Sequence, residues 1–180
     1  AESGIAQYSR LAHLLLLEPS NLGTTSELAD NHAWLVSRSR LARPGMPLLA
    51  SVPSQRSSRL SEQLLLFAGA ATDDDVDPEQ IRLAAFHALA AGARGIVVGG
   101  ERPLAIDNPP GALRTDELKL LNLELRLLEP WIAAGQISEQ FTASDGSVQG
   151  TLLAIDRSRL LILTQVAAGQ QYVLGAPPRS

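Results

Sequence analysis

Residues Asp77–Gly100 read DPEQIRLAAFHALAAGARGIVVGG, and the fold turns on how this stretch is read. Asp77 is a good N-cap, Pro78 suits the first helical turn, and Gln80 stands where a capping-box partner would stand. Ile81, Ala84, Ala85, Ala88 and Leu89 recur at helical spacing, and Leu83 and Phe86 widen the stripe. That spacing predicts a helix over 78–91 covered on more than one side. Gly92 and Gly95 stop it, and Ile96–Val98 is a short β-branched run closed by Gly99 and Gly100. A run with no polar alternation predicts a strand buried on both faces, as in a parallel sheet.

Upstream, the same alternation occurs twice more. Residues 1–12 read as the tail of a helix, with Ile5 and Tyr8 on one side. His13–Leu17 is a strand, left by the loop Glu18–Asn21. Thr24 and Glu27 form a capping box for a helix over Ser26–Leu41, which the Arg-Pro-Gly of 43–45 terminates. Pro47–Val52 is the second strand; a serine-rich loop and a short helix at Leu60–Phe67 follow it. Downstream, Glu101–Gly111 is a loop, and Thr115 or Asp116 caps a long helix to about Ala134, with Leu118, Leu121, Leu125, Leu128 and Ile132 in register. Strand–helix alternation of this kind implies parallel strands joined by right-handed crossovers.

After Gly135 the period changes. Ile137–Thr142, Val148–Ile155, Leu160–Thr164 and Gln171–Leu174 are short extended runs separated by turn signals. They predict an antiparallel meander and a domain boundary near 135, with an α/β region at 1–135 and a β region at 136–180. Residues 176–180 are expected to fray.

Composition excludes several function classes. The 180 residues are 45% hydrophobic and 19% charged, which is globular, and only 4% aromatic, so packing rests on Leu and Ala. A formal charge of −4, with Arg38, Arg40 and Arg43 as the densest basic cluster, argues against a nucleic-acid surface. Those arginines read as a solvated helix end. The absence of cysteine excludes disulfides, thiolate catalysis and cysteine-ligated metals, and it assigns no compartment. No stretch has the apolar length of a membrane span, and no signal peptide is visible.

Other constellations carry little. His13, His32 and His87 lack metal-ligand spacing and read as packing histidines. Asp73, Asp74, Asp75 and Asp77 offer hard oxygen ligands but lack the glycine and distal glutamate of an EF-hand, so they read as a solvated acidic loop. Gly99-Gly100 has neither phosphate-loop signature. Ser51, Ser54, Ser57 and Ser58 form no nucleophile elbow, and Trp34 and Trp131 lie in helices, where packing is their expected use.

The run IRLAAFHALAAGARGIVV (81–98), a loop, and then ELKLLNLELRLLEPWIAAG (117–135) resembles the last two units of a (β/α)8 barrel of the clan A glycoside hydrolases. ELADNHAWLVSRSRLARPGMPLLASVPSQ (27–55) resembles the helix and strand before them. The resemblance covers about residues 10–135 and rests on pattern rather than on a catalytic signature; a doubly wound α/β domain would alternate in the same way. It implies an α/β fold made of the C-terminal three strand–helix units of a TIM-barrel-like domain, followed by the start of a β-sandwich. Three units are too few for a closed barrel, which needs eight. The chain, which opens at Ala1 rather than methionine, is therefore expected to be the C-terminal part of a larger protein or one piece of a cleaved or assembled one. The bare edges of such a sheet would pair with another polypeptide that completes the barrel, or with a second copy.

The resemblance also implies where chemistry would sit, since barrel sites lie at the C-terminal ends of strands. Those ends are Glu18–Asn21, Pro53–Gln55 and Gly99–Arg102. In the family the nucleophile is a glutamate at the end of the seventh strand, matching about Val52–Gln55, and here the nearest residue by shape is Gln55, an amide. Glu18 and Glu101 at the neighbouring ends are the remaining candidate carboxylate pair, with Asn21, Gln55 and Arg102 as candidate binding residues. The implied function is a degenerate, carbohydrate-related portion of an exported glycoside-hydrolase-like protein, with no cofactor and no metal. The alternative is an assembly subunit that uses a barrel scaffold for protein–protein contact.

Overall fold

The computed structural model describes residues 2–19, 28–68, 78–101, 103, 109–145 and 148–165. The elements run α1 (Glu2–Tyr8), β1 (Leu15–Leu17), α2 (Leu28–Ser39), β2 (Leu48–Pro53), α3 (Ser58–Ala68), α4 (Pro78–Ala90), β3 (Gly95–Gly99), α5 (Pro109–Ala134), β4 (Gln136–Thr142), β5 (Val148–Ile155) and β6 (Ser158–Gln165). The protein is mixed α/β, with a parallel three-stranded sheet ordered β1-β2-β3 and a separate antiparallel sheet ordered β4-β5-β6.

The parallel sheet follows directly from the two-residue period of a strand. Leu17 pairs with Ala50 and Val52 with Val98, so one face carries Leu15, Leu17, Ala50, Val52 and Ile96. That face packs on Leu35 of α2, on Ile81, Ala84 and Ala88 of α4 and on Leu121 of α5. Both α2 and α5 touch α4, so the three helices form one layer over one side of the sheet. Small residues bring α4 close: Ala84, Ala85 and Ala88 are almost wholly buried, as are Ile81 and Leu89. Gly92, at φ 102°, ends α4 in a conformation that favours glycine, and its N–H bonds to the Leu89 carbonyl at 3.0 Å.

The opposite face is only partly covered. Leu16 and Val97 point away from the helices and are exposed, and Leu49 lies between them with a Cδ2 that a side chain at Gly95 would meet at 2.9 Å. The run Ile96–Val98 is therefore not buried on both faces: β3 is an edge strand, and even Val98 on the helix side is 39% exposed. On that face Ser51 is buried, so the exposed part is the patch of Leu16 and Val97.

The antiparallel sheet shares a core with the helices. Leu153 of β5 and Ile162 of β6 cluster with Leu89 and Ala90 of α4 and Ile132 of α5. Polar side chains seal the seam. Thr151 Oγ1 and Gln140 Nε2 each donate to the Ala90 carbonyl at 3.1 Å, satisfying an orphan acceptor at the end of α4. Arg94 donates to the Ile132 carbonyl at 3.1 Å and to that of Gly135, capping the C-terminal end of α5 with a cation. On the outer face of the sheet, Leu161 and Leu163 are exposed, and the Phe141 ring lies over Gly150.

Several boundaries differ from the sequence reading, most by one or two residues. The first strand is Leu15–Leu17, with His13 exposed on a bend before it rather than packed. The last long helix starts at Pro109, a residue suited to a first turn. Thr115 is therefore inside it, and its hydroxyl donates back to the Gly111 carbonyl at 2.8 Å instead of capping. The α3 helix starts at Ser58 rather than Leu60. The capping box at Thr24 and Glu27, the cap at Asp77, the acidic run 73–75, the strand at 171–174 and the tail 176–180 lie outside the described residues.

Candidate functional site

The C-terminal ends of β1, β2 and β3 open on the same edge of the sheet because the strands are parallel. The central end is the most elaborated. Ser54, immediately after β2, donates to the Gly99 carbonyl twice, from its N–H at 2.8 Å and from Oγ at 3.0 Å. This ties the β2 exit to the β3 exit and buries Ser54 almost completely. Gly100 fits against it; a Cβ there would stand 2.9 Å from Ser54 Oγ and 3.4 Å from the Gln55 amide.

Gln55 is buried and meets a buried arginine. Arg114, near the start of α5, donates from Nη1 to Gln55 Oε1 and from Nη2 to the Pro103 carbonyl, both at 3.4 Å. Arg114 is 4% exposed, so its guanidinium is a desolvated cation beside the β2 exit. Sequence reading missed this residue. Its only signal was an arginine placed where the long helix turns toward its apolar run, and helix periodicity alone cannot distinguish that from a solvated side chain.

The candidate carboxylates flank this centre. Glu18 follows β1 and is exposed. Glu101 follows β3, is also exposed, and its Oε2 accepts the Ser58 N–H at 3.1 Å. Ser58 is the first residue of α3, so this carboxylate satisfies an orphan donor at a positive helix end. β1 and β3 are both neighbours of β2, which sets their backbones two strand spacings apart, about 10 Å. Asn21 and Arg102 lie outside the described residues.

A second polar centre was invisible in sequence. His32 on α2 and His87 on α4 stand edge to face, with ring centroids 5.6 Å apart and planes at 80°. His87 is wholly buried, and neither ring nitrogen has a hydrogen-bond partner. Burial, reinforced by the neighbouring His32, pushes its pKa down to about 4, so the ring is neutral near pH 7. Burial also lowers the pKa of His32. Beside them, a cleft of about 240 Å³ separates α2 from the β4–β5 hairpin, lined by His32, Val36, Gln140, Thr142, Gln149 and Thr151. The two histidines come from positions 55 residues apart, which only the packing of α2 on α4 could bring together. No group of three or more His, Cys, Asp or Glu that could hold a metal occurs among the described residues.

Trp34 and Trp131 both pack on the core, the first beneath the Arg38 guanidinium at 5.1 Å. No helix among the described residues is long and apolar enough to cross a membrane. No protein-family model and no curated protein matches this chain.

Proposed function

We propose that this chain forms the C-terminal three strand–helix units of a (β/α)8 barrel, with β4–β6 opening a β-sandwich, in a glycoside-hydrolase-like protein whose strand ends here do not catalyse hydrolysis. The observation that carries the reading is the apolar patch that Leu16 and Val97 leave exposed on the sheet face away from the helices. Parallel sheets are almost always buried on both faces, and in a barrel the face away from the helices fills the interior with side-chain layers. Leu16, Leu49 and Val97 have the character of such a layer, with the strands in sequential order and all three helices on the other side. One half of a doubly wound sheet would share the strand order, but its second face would take helices.

The non-catalytic part of the reading rests on the β2 exit. Ser54 and Gln55 occupy the position the family gives its nucleophile, and Arg114 orients the Gln55 amide, which forms no glycosyl ester. Glu101 is engaged at the start of α3, where its Oε2 accepts the Ser58 N–H. The carbohydrate assignment comes from the resemblance alone.

The test begins with the reading frame that encodes the chain. Five more strand–helix units ahead of Ala1, with a glutamate ending the fourth strand, are expected; a strand that crosses to the opposite face would sink the barrel. In the whole protein, calorimetry against oligosaccharides should show binding. Hydrolysis of aryl glycosides that disappears in Glu18→Gln or Glu101→Gln would overturn the non-catalytic reading. The second reading, an assembly subunit, is favoured by the exposed leucines of α5. A protein that binds no glycan yet holds a partner through this chain would support it.

A further inference from the structure

The α5 helix carries two apolar faces, and only one is used. Leu118, Leu121, Leu125, Leu128 and Ile132 pack inward. On the opposite side Leu113, Leu120, Leu123 and Leu127 are exposed by 62%, 46%, 62% and 74%. At about 100° per residue these four fall in a strip roughly 80° wide, facing away from Leu121. Leu113, Leu120 and Leu127 recur every seven residues with Leu123 between the last two, which is the seam of a two-helix contact rather than a scatter of surface leucines.

The charges beside the seam identify what it fits. Lys119 and Arg126 lie along one flank, and Glu117 and Glu124 along the other. In two parallel helices each flank faces the opposite flank of its neighbour, five residues further on. Lys119 of one copy then meets Glu124 of the other, twice by symmetry, and Arg126 meets Trp131. In an antiparallel pair the cations would face cations and the glutamates glutamates. Asp116 is the polar break in the seam, and Lys119 already sits on it at 2.9 Å. Glu124 also binds Arg82, within its own copy, and is partly solvent-accessible.

We propose that the outer face of α5 is the contact surface of a parallel, two-fold homodimer of this chain. This goes beyond the barrel reading and stands without it. A two-fold axis makes the interface self-complementary, so each substitution acts twice.

Sedimentation equilibrium on the 180-residue chain, from micromolar to hundred-micromolar concentration, is the test. A dimer is expected, and Leu123→Glu should weaken it by about a hundredfold or more, since two half-exposed leucines are lost and two charges are placed in the seam. Because Leu123 is exposed, circular dichroism and the melting temperature of the variant should stay close to wild type. Lys119→Glu and Glu124→Lys chains should each dimerise poorly, and mixing them should restore association, because opposite charges then meet on both flanks. A chain that stays monomeric at hundred-micromolar concentration would overturn the proposal, as would a dimer that survives Leu123→Glu. Failure of the mixed charge variants to pair would overturn the parallel arrangement.

Discussion

Acidifying the protein from pH 7.5 to pH 5 should cost stability, and most of that loss should belong to His87. Its imidazole is fully buried between α4 and its neighbours, both nitrogens lack partners, and His32 lies at its edge. The folded pKa is about 4 against 6.5 for an exposed histidine. A base whose folded pKa is depressed binds fewer protons folded than unfolded, so stability is complete above pH 6.5 and falls as pH drops toward 4. At 1.36 kcal/mol per unit the full loss is about 3 kcal/mol, of which about 2 kcal/mol should already be gone at pH 5. Urea unfolding at pH 7.5, 6.5, 5.5 and 5 reads this as a falling midpoint with an unchanged slope. Carboxylates that titrate at the acid end are removed by comparison with His87→Leu, which keeps similar volume and cannot charge. That variant should be at least as stable as wild type at pH 7.5, because it deletes two unsatisfied nitrogens, and its midpoint should fall much less toward pH 5, the remaining fall belonging to His32, whose pKa burial also lowers. Equal pH slopes in the two proteins would refute the reasoning and would move the titration to another group.

Leu121→Ala should cost roughly 2–5 kcal/mol in a thermal or urea melt, because Leu121 is 1% exposed where α5 meets Ile81 and Val52. Arg82→Ala should cost under about 1 kcal/mol in the same melt, despite two hydrogen bonds to Glu124, since the arginine is nearly half exposed. Gly150→Val should lower the melting temperature and raise hydrogen exchange in β4 and β5, because its side chain would occupy the space of the Phe141 ring; an unchanged melt would mean the ring moves aside freely. Arg114→Met should leave the secondary structure intact by circular dichroism and speed proteolysis of the segment after Gly99, where the arginine bridges Gln55 and Pro103; unchanged cleavage would count against that bridging role.

Much of the fold was present in local pattern. The helix over 78–90, its glycine stop, the three parallel strands and the later antiparallel hairpins follow from spacing and turn residues that act over a few positions. Boundaries moved where local chemistry allowed two answers, as with Pro109 and Thr115, either of which can open a helix. The strand-end candidates were legible only as positions: Glu101 as a residue after a strand, but not its bond to Ser58; Gln55 as a missing carboxylate, but not its buried arginine.

Sequence by itself determined which residues are apolar and at what period, because those are properties of the chain read a few residues at a time. It therefore settled the strand–helix alternation anchored on Asp77–Gly100 and the change to antiparallel strands after Gly135. Only the tertiary structure decided which apolar faces are covered. Periodicity shows that Leu121 and Leu120 sit on different sides of α5, while burial separates the one that packs from the one that meets water. The same holds for Val52 and Val97 across the sheet, and for His32 and His87, which packing alone makes neighbours. The physical reason is that burial and desolvation depend on what arrives from distant parts of the chain, and no local pattern encodes the partner.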